Sequence, residues 1–221
     1  MDGVVSVGEL LKMRFKELPL NRKLQQILGK IPAKEQWLML VHGVPGSGKS
    51  TYSLVLAKEF SRFGTILYAN FEEAIGPTLQ KKINVAKLQN ERVKFLENNT
   101  VEELWRKLGT GMYRYCIVDS ISEVAKRERR VAEFGSKLRE YPNTSFILIG
   151  HSKKATNDKT DSDYKGVSTL GHLIDINQRV ISGVAWNDKN RFLGKECTKA
   201  PGFDFFRGGV IVRKKILNSK F

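Results

Sequence analysis

The chain has 221 residues, 41% hydrophobic and 28% charged, which excludes a disordered chain or a coiled coil and fits one domain with a sizeable core. The formal net charge of +15 points to a polyanionic partner, nucleic acid before an acidic membrane surface, with a merely solvated surface as the plain alternative. No apolar run approaches the roughly 20 residues of a bilayer span, the start MDGVVSVGELLKMRFKEL lacks a signal-peptide core, and Cys116 and Cys197 have no metal or disulfide spacing, so reduced thiols, a cytoplasmic location and no membrane contact are expected.

In chain order, VGELLKMRFKELPL has helical apolar spacing, and residues 1–30 are expected to form a helical or oligomerisation segment that docks on a neighbour or on its own domain; 31–221 form the core. WLMLVHG predicts a strand running into the turn VPGSGK, followed by the helix KSTYSLVLAKEFSRF, which carries Tyr52, Val55, Leu56, Phe60 and Phe63 on its core face and stops at Gly64. TILYANF is the next strand. GPTLQKKINVAKL is a helix beginning near Pro77, VKFLE a short strand, and TVEELWRKL a helix opened by a capping box of Thr100 and Glu103. YRYCIVD and TSFILIG are apolar strands on either side of one polar helix, SEVAKRERRVAEFGSKLREY. Residues 178–187 and 207–215 read as an antiparallel pair closing the edge. Strands alternating with helices predict an α/β fold with a mainly parallel central sheet flanked by helices and an antiparallel C-terminal edge.

The turn fits GxxxxGK[ST]. Backbone N–H groups from Gly43, Val44, Pro45, Gly46, Ser47, Gly48, Lys49, Ser50 and Thr51, proline excepted, would wrap a phosphate chain at a helix N-terminus. Lys49 would reach the β- and γ-phosphates and Ser50 would ligate Mg²⁺, so ATP with Mg²⁺ is the expected ligand. Asp119, ending YRYCIVD, is placed to hold the same Mg²⁺ opposite Ser50. Glu72 and Glu73 end the neighbouring strand, either as carboxylates that orient or deprotonate an attacking water or as surface acids capping the next helix. In NDKNRFLGK, Lys189 and Arg191 sit two apart at a strand end and face the same way, a cationic fork for an anion or a basic surface exposed to solvent or DNA. The basic excess is concentrated there, with nine Lys or Arg and two acids from Lys189 to Phe221.

GVPGSGKST, ILYANFEE, YCIVDSI, ILIGHSKK, STLGHLIDINQRV and DKNRFLG, in this order, resemble the RecA-like P-loop ATPases, above all the branch containing bacterial RadA, KaiC and the DnaB-type helicases. The resemblance spans 37 to about 196. FEE is similar to the acidic pair of KaiC and RadA, and KNRFLG resembles the RadA motif KNRFG with Leu193 inserted, which alters the spacing to Gly194. By that resemblance Glu72 is the catalytic carboxylate with Glu73 second. His151 is either a γ-phosphate sensor or a structural hydrogen-bonding partner, and Lys189 with Arg191 forms a finger acting on a neighbour's nucleotide, which implies a homo-oligomeric ring or filament. The resemblance also places DNA contacts after Asp119, at Arg127, Arg129 and Arg130, and after the sensor strand, at Lys153, Lys154, Lys159, Tyr164 and Lys165. A solvent-exposed helix face is the alternative for AKRERR. The chain resembles the short recombination and single-strand-annealing ATPases of some phages, which implies single-stranded DNA and a single-strand-binding protein as partners; a helicase-like translocase and a KaiC-like regulatory or scaffold ATPase are the alternatives.

Overall fold

The computed structural model describes residues 4–127, 131–152 and 170–212. Nine strands form one sheet: β1 (Leu38–Gly43), β2 (Ile66–Asn70), β3 (Val93–Phe95), β4 (Tyr115–Asp119), β5 (Ser145–His151), β6 (Ile176–Ile181), β7 (Val184–Asn190), β8 (Gly202–Asp204) and β9 (Gly209–Ile211). Their order is β3-β2-β4-β5-β1-β6-β7-β8-β9. Pairing is parallel from β3 through β6 and antiparallel from β6 to β9. The mainly parallel α/β sheet with an antiparallel C-terminal edge is therefore as expected.

Strand alternation sorts the central side chains into two apolar layers. Met39, Val41, Ile66, Tyr68, Tyr115, Ile117, Ile147 and Ile149 face one layer. It is completed by α2 (Arg22–Leu28) and α3 (Lys49–Phe60), through Leu24, Ile27, Tyr52, Leu56 and Phe60. Leu38, Leu40, Leu67, Ala69, Cys116, Val118, Phe146 and Leu148 face the other. There α5 (Val101–Leu108), α6 (Ile121–Arg127) and α7 (Val131–Leu138) supply Leu104, Trp105, Val124, Phe134 and Leu138. Between β2 and β3 runs α4 (Pro77–Ala86), opened by its proline as expected. All six residues of β1 are buried, consistent with a strand covered on both faces.

Three expectations are corrected. Residues 178–187 are not one strand: Ser182 and Gly183, at φ 45° and 82°, turn β6 back into β7, and the closing edge is a four-strand ribbon. Of 207–215, Gly209–Ile211 is strand, and 213–215 lie outside the described residues. The helix expected from SEVAKRERRVAEFGSKLREY is described over Ile121–Arg127 and Val131–Leu138, and 128–130 lie outside the described residues. Thr100 accepts from the Glu103 backbone, but Glu103 turns its carboxylate to Arg106 at 2.6 Å, so the capping box is only half made.

Residues 4–30 fall into two pieces. A short helix, α1 (Val7–Lys12), has no buried residue, whereas Leu18, Leu20, Leu24, Ile27 and Leu28 join the core. No helix among the described residues is long and apolar enough to cross a membrane.

The β6–β7 hairpin contains a register shift: Asn177 pairs with Lys189 and Gln178 with Asn187, leaving Asp188 as the extra residue. Ala185 and Asn187 point inward, but so does Asn190. Unbroken alternation from Asn187 would have turned Lys189 and Arg191 into the core; the bulge turns them out.

Candidate nucleotide site

The carboxyl ends of β1, β5, β4 and β2 lie side by side, with Gly43 opposite His151, Asp119 opposite Ile149 and Asn70 opposite Asp119. Ligands of open α/β sheets bind at this edge. After β1 the chain passes through 44–48 and enters α3, whose N-cap Gly48 is left-handed at φ 101°. Glycine is needed there twice over, since an added Cβ would also lie 2.8 Å from the Phe205 ring. Lys49 is buried and extends back across the loop to donate to the Val44 carbonyl at 3.0 Å. Burial pulls its pKa down, opposed by the charges of Glu72 and Asp119. A cavity of about 230 Å³ opens between Gly43–Ser47 and the end of β6 at Arg179 and Ile181.

Asp119 is buried at the end of β4. Burial raises its pKa, the neighbouring Ser50 hydroxyl lowers it, and Glu72 raises it further. One carboxylate oxygen accepts from the Tyr68 hydroxyl at 3.2 Å, and the other has no hydrogen-bond partner. A buried carboxylate oxygen left unsatisfied beside a serine hydroxyl suits a Mg²⁺ ion or its water shell. Among the described residues no group of three or more His, Cys, Asp or Glu could hold a metal, so a cation here would draw most of its ligands from phosphate and water.

The acidic pair divides. Backbone N–H groups of Phe71 and Glu72 both donate to the Asp119 carbonyl, tying the end of β2 to that of β4. This brings the Glu72 carboxylate to His151, with whose Nε2 it shares a hydrogen bond. Burial would raise the Glu72 pKa, but hydrogen bonds from His151 and Ser120 and the charges of His151 and Lys49 outweigh it, so the group stays ionised below its usual range. Glu73 instead pairs with Lys82 on α4. The structure thus brings Lys49, Ser50, Glu72, Asp119 and His151 together and leaves Glu73 out.

The cationic fork is engaged within its own chain. Lys189 donates to the Gly171 carbonyl at 3.0 Å; Arg191 pairs with Asp175 at 2.8 Å and donates to the His172 carbonyl. Both cations face the 170–175 turn, with the Arg191 side chain about half exposed. Arg129, Arg130, Lys153, Lys154, Lys159, Tyr164 and Lys165 lie outside the described residues, as does the side chain of Arg127.

Sequence reasoning missed one polar chain. His42, fully buried in β1, bonds Ser152 at 2.9 Å through Nδ1 and Asp188 at 3.1 Å through Nε2, and Arg179 donates to the other Asp188 oxygen at 3.0 Å. It links the root of the segment after β5 to the bulge beside Lys189. The signal was a histidine inside the apolar run WLMLVHG, since a buried imidazole requires partners.

A family model described as the viral superfamily 1 RNA helicase core domain matches residues 39–172, more than half of the chain. The chain belongs to that family. Two DNA repair proteins RadA are similar: one of Streptococcus pyogenes serotype M3, 25% identical over 149 residues, and one of Haemophilus influenzae, 26% identical over 148. Each alignment covers 62% of this helicase-family chain and 31% of the relative, so the match spans about a third of those proteins. In fold, the chain is similar to a KaiC-like protein of Pyrococcus horikoshii, with a TM-score of 0.65 and 17% identity over 91% of this chain and 99% of that one. Together with the sheet order and the phosphate loop, these likenesses support a RecA-like P-loop ATPase core of the RadA/KaiC branch.

Proposed function

We propose that this ATPase core works as an oligomer on single-stranded DNA, coupling binding or hydrolysis of Mg·ATP to recombination or annealing. One observation carries the hydrolytic part: Glu72 is held ionised by His151 at the mouth of the loop, within the electrostatic reach of Lys49 and beside Asp119. In this reading Lys49 binds the β- and γ-phosphates, and Glu72 orients and deprotonates the attacking water. His151 reports the γ-phosphate through its bond to Glu72. Ser50 and Asp119 would hold Mg²⁺, which when bound supplies charge neutralisation at the phosphates. The DNA part rests on the net charge of +15 and on relatives named DNA repair protein RadA. Lys153, Lys154, Lys159, Tyr164, Lys165 and the Arg127–Arg130 stretch are its proposed contacts. The test is steady-state ATP hydrolysis with and without single-stranded DNA, using Lys49→Ala as the blank. Stimulation that weakens steeply with salt is expected, because phosphate contacts release counterions; a rate unmoved by DNA would overturn the DNA assignment.

A helicase-like translocase is the second reading, favoured by the family-model match to a helicase core. Directional unwinding of a duplex would select it over annealing.

Lys189 and Arg191 are proposed to act on the nucleotide of an adjacent subunit, leaving Asp175 as the γ-phosphate takes its place. Arg191 is already half exposed and, among the described residues, needs to give up one ion pair and one carbonyl. On this basis Arg191→Ala and Glu72→Ala subunits, each inactive alone, regain part of the wild-type hydrolysis when mixed, since a Glu72 site can then face an intact Arg191. Rates that stay at background at every mixing ratio would rule the finger out.

A further inference from the structure

The β8–β9 turn carries an exposed aromatic ring whose position is fixed more tightly than a surface phenylalanine requires. We propose that Phe206 is the platform on which the nucleobase of the bound nucleotide stacks; the inference rests on the nucleotide-binding reading above and extends it to base recognition.

A nucleotide held by the phosphate loop can lie in one direction. Glu72 follows the end of β2, and Asp119 and His151 end β4 and β5, all on one side of β1 in the sheet; the charges of Glu72 and Asp119 both act on Lys49. These groups mark the γ-phosphate end. A nucleoside triphosphate is an extended molecule, so its base lies on the other side of the loop, where β6, β7 and β8 follow β1.

On that side three turns are stitched together. The Gly183 N–H, in the β6–β7 turn, donates to the Ser47 carbonyl of the phosphate loop at 3.1 Å, and the Phe205 N–H donates to the Gly183 carbonyl at 3.2 Å. Phe205 is buried and stacks on Tyr52 of α3, centroids 5.1 Å apart and planes 25° apart, and Phe206 packs on Phe205 at 4.8 Å. The three rings form a ladder rising from the first turn of α3, with Phe206 its outer rung, 59% exposed. Gly183 lies so close beneath Phe206 that an added Cβ would meet the ring at 2.6 Å, and its φ of 82° excludes most other residues as well. The turn itself is pinned: Asp204 accepts from the Phe206 and Arg207 backbones at 3.1 and 3.0 Å, and Lys23 donates to the Gly208 carbonyl at 2.6 Å. An exposed ring already held in place loses little freedom when a flat ligand covers it, which favours binding.

Stacking reads the size of the π-face rather than its donor and acceptor pattern. The platform should therefore prefer purine to pyrimidine triphosphates and separate adenine from guanine poorly.

The test is calorimetric titration of the full chain with ATP, GTP, CTP and UTP, and with inorganic tripolyphosphate as a probe that has phosphates and no base. In the wild type, ATP and GTP are expected to bind similarly and more tightly than CTP and UTP. Phe206→Ala should weaken ATP binding by about ten-fold, the order of one base–aromatic stack, leave tripolyphosphate affinity unchanged and erase the purine preference. Phe206→Trp should keep ATP affinity. Unchanged ATP affinity in Phe206→Ala would overturn the proposal, as would an equal loss for tripolyphosphate, which would mean a disturbed loop. If the wild type binds tripolyphosphate but ATP no better, the base platform falls while the phosphate site stands; if it binds neither, both fall.

Discussion

Lys49→Ala lowers ATP hydrolysis by roughly 10²–10³-fold, the scale of losing one preorganised positive group at a transition state that gathers negative charge. Lys49 is the cation that both Glu72 and Asp119 act on, and its ammonium already spans the loop to the Val44 carbonyl. A γ-phosphate entering the loop replaces that carbonyl as acceptor, converting a neutral contact into a charge-assisted one. The backbone amides of 44–48 remain in the variant, so phosphate affinity falls less than turnover. Phosphate release at saturating ATP, with a thermal melt to establish that the variant folds, makes the comparison. Turnover within a few-fold of wild type would refute the loop assignment.

Glu72→Gln separates chemistry from binding. The amide keeps the shape of the carboxylate but cannot take a proton, so hydrolysis should drop by roughly 10²-fold or more, the usual contribution of a general base. ATP affinity should hold or improve, because the phosphates lose a nearby negative charge. Glu73→Gln should do little, its carboxylate being committed to Lys82. Single-turnover hydrolysis alongside ATP titration reads both quantities. Equal losses in the two glutamine variants, or a Glu72→Gln enzyme as fast as wild type, would remove Glu72 from the base role.

The difference between these two neighbouring glutamates shows where reading along the chain stops. ILYANFEE says that two acids follow a buried strand, and they do follow β2 at the carboxyl edge of the sheet. Which one faces the loop depends on partners far away in sequence, His151 for one and Lys82 on the next helix for the other. The phosphate loop was legible because its chemistry is contained in nine consecutive residues. So were β1, β2, β4 and β5, whose apolar runs have the length and composition of strands buried on both faces, and α4, whose start is announced by Pro77. The bond from Gly183 to Ser47, the ladder Tyr52–Phe205–Phe206 and the chain Ser152–His42–Asp188 join elements more than a hundred residues apart. None of them leaves a local pattern beyond one histidine in an apolar run. The hairpin at 182–183 was missed because Ser182 adopts a positive φ that its residue type does not advertise.

The extra residue at Asp188 gives this ribbon a property that contact energies do not describe. Between Asn187 and Asn190 the chain changes which parity of residue faces inward. Deleting one residue there would therefore do more than shorten a strand: it would exchange inside for outside for everything beyond, driving Lys189 and Arg191 toward the core and lifting Asn190 out of it. Single-residue insertions and deletions should accordingly be purged at this point while side-chain replacements drift, and the length of the NDKN segment, more than its spelling, is what descent would hold constant.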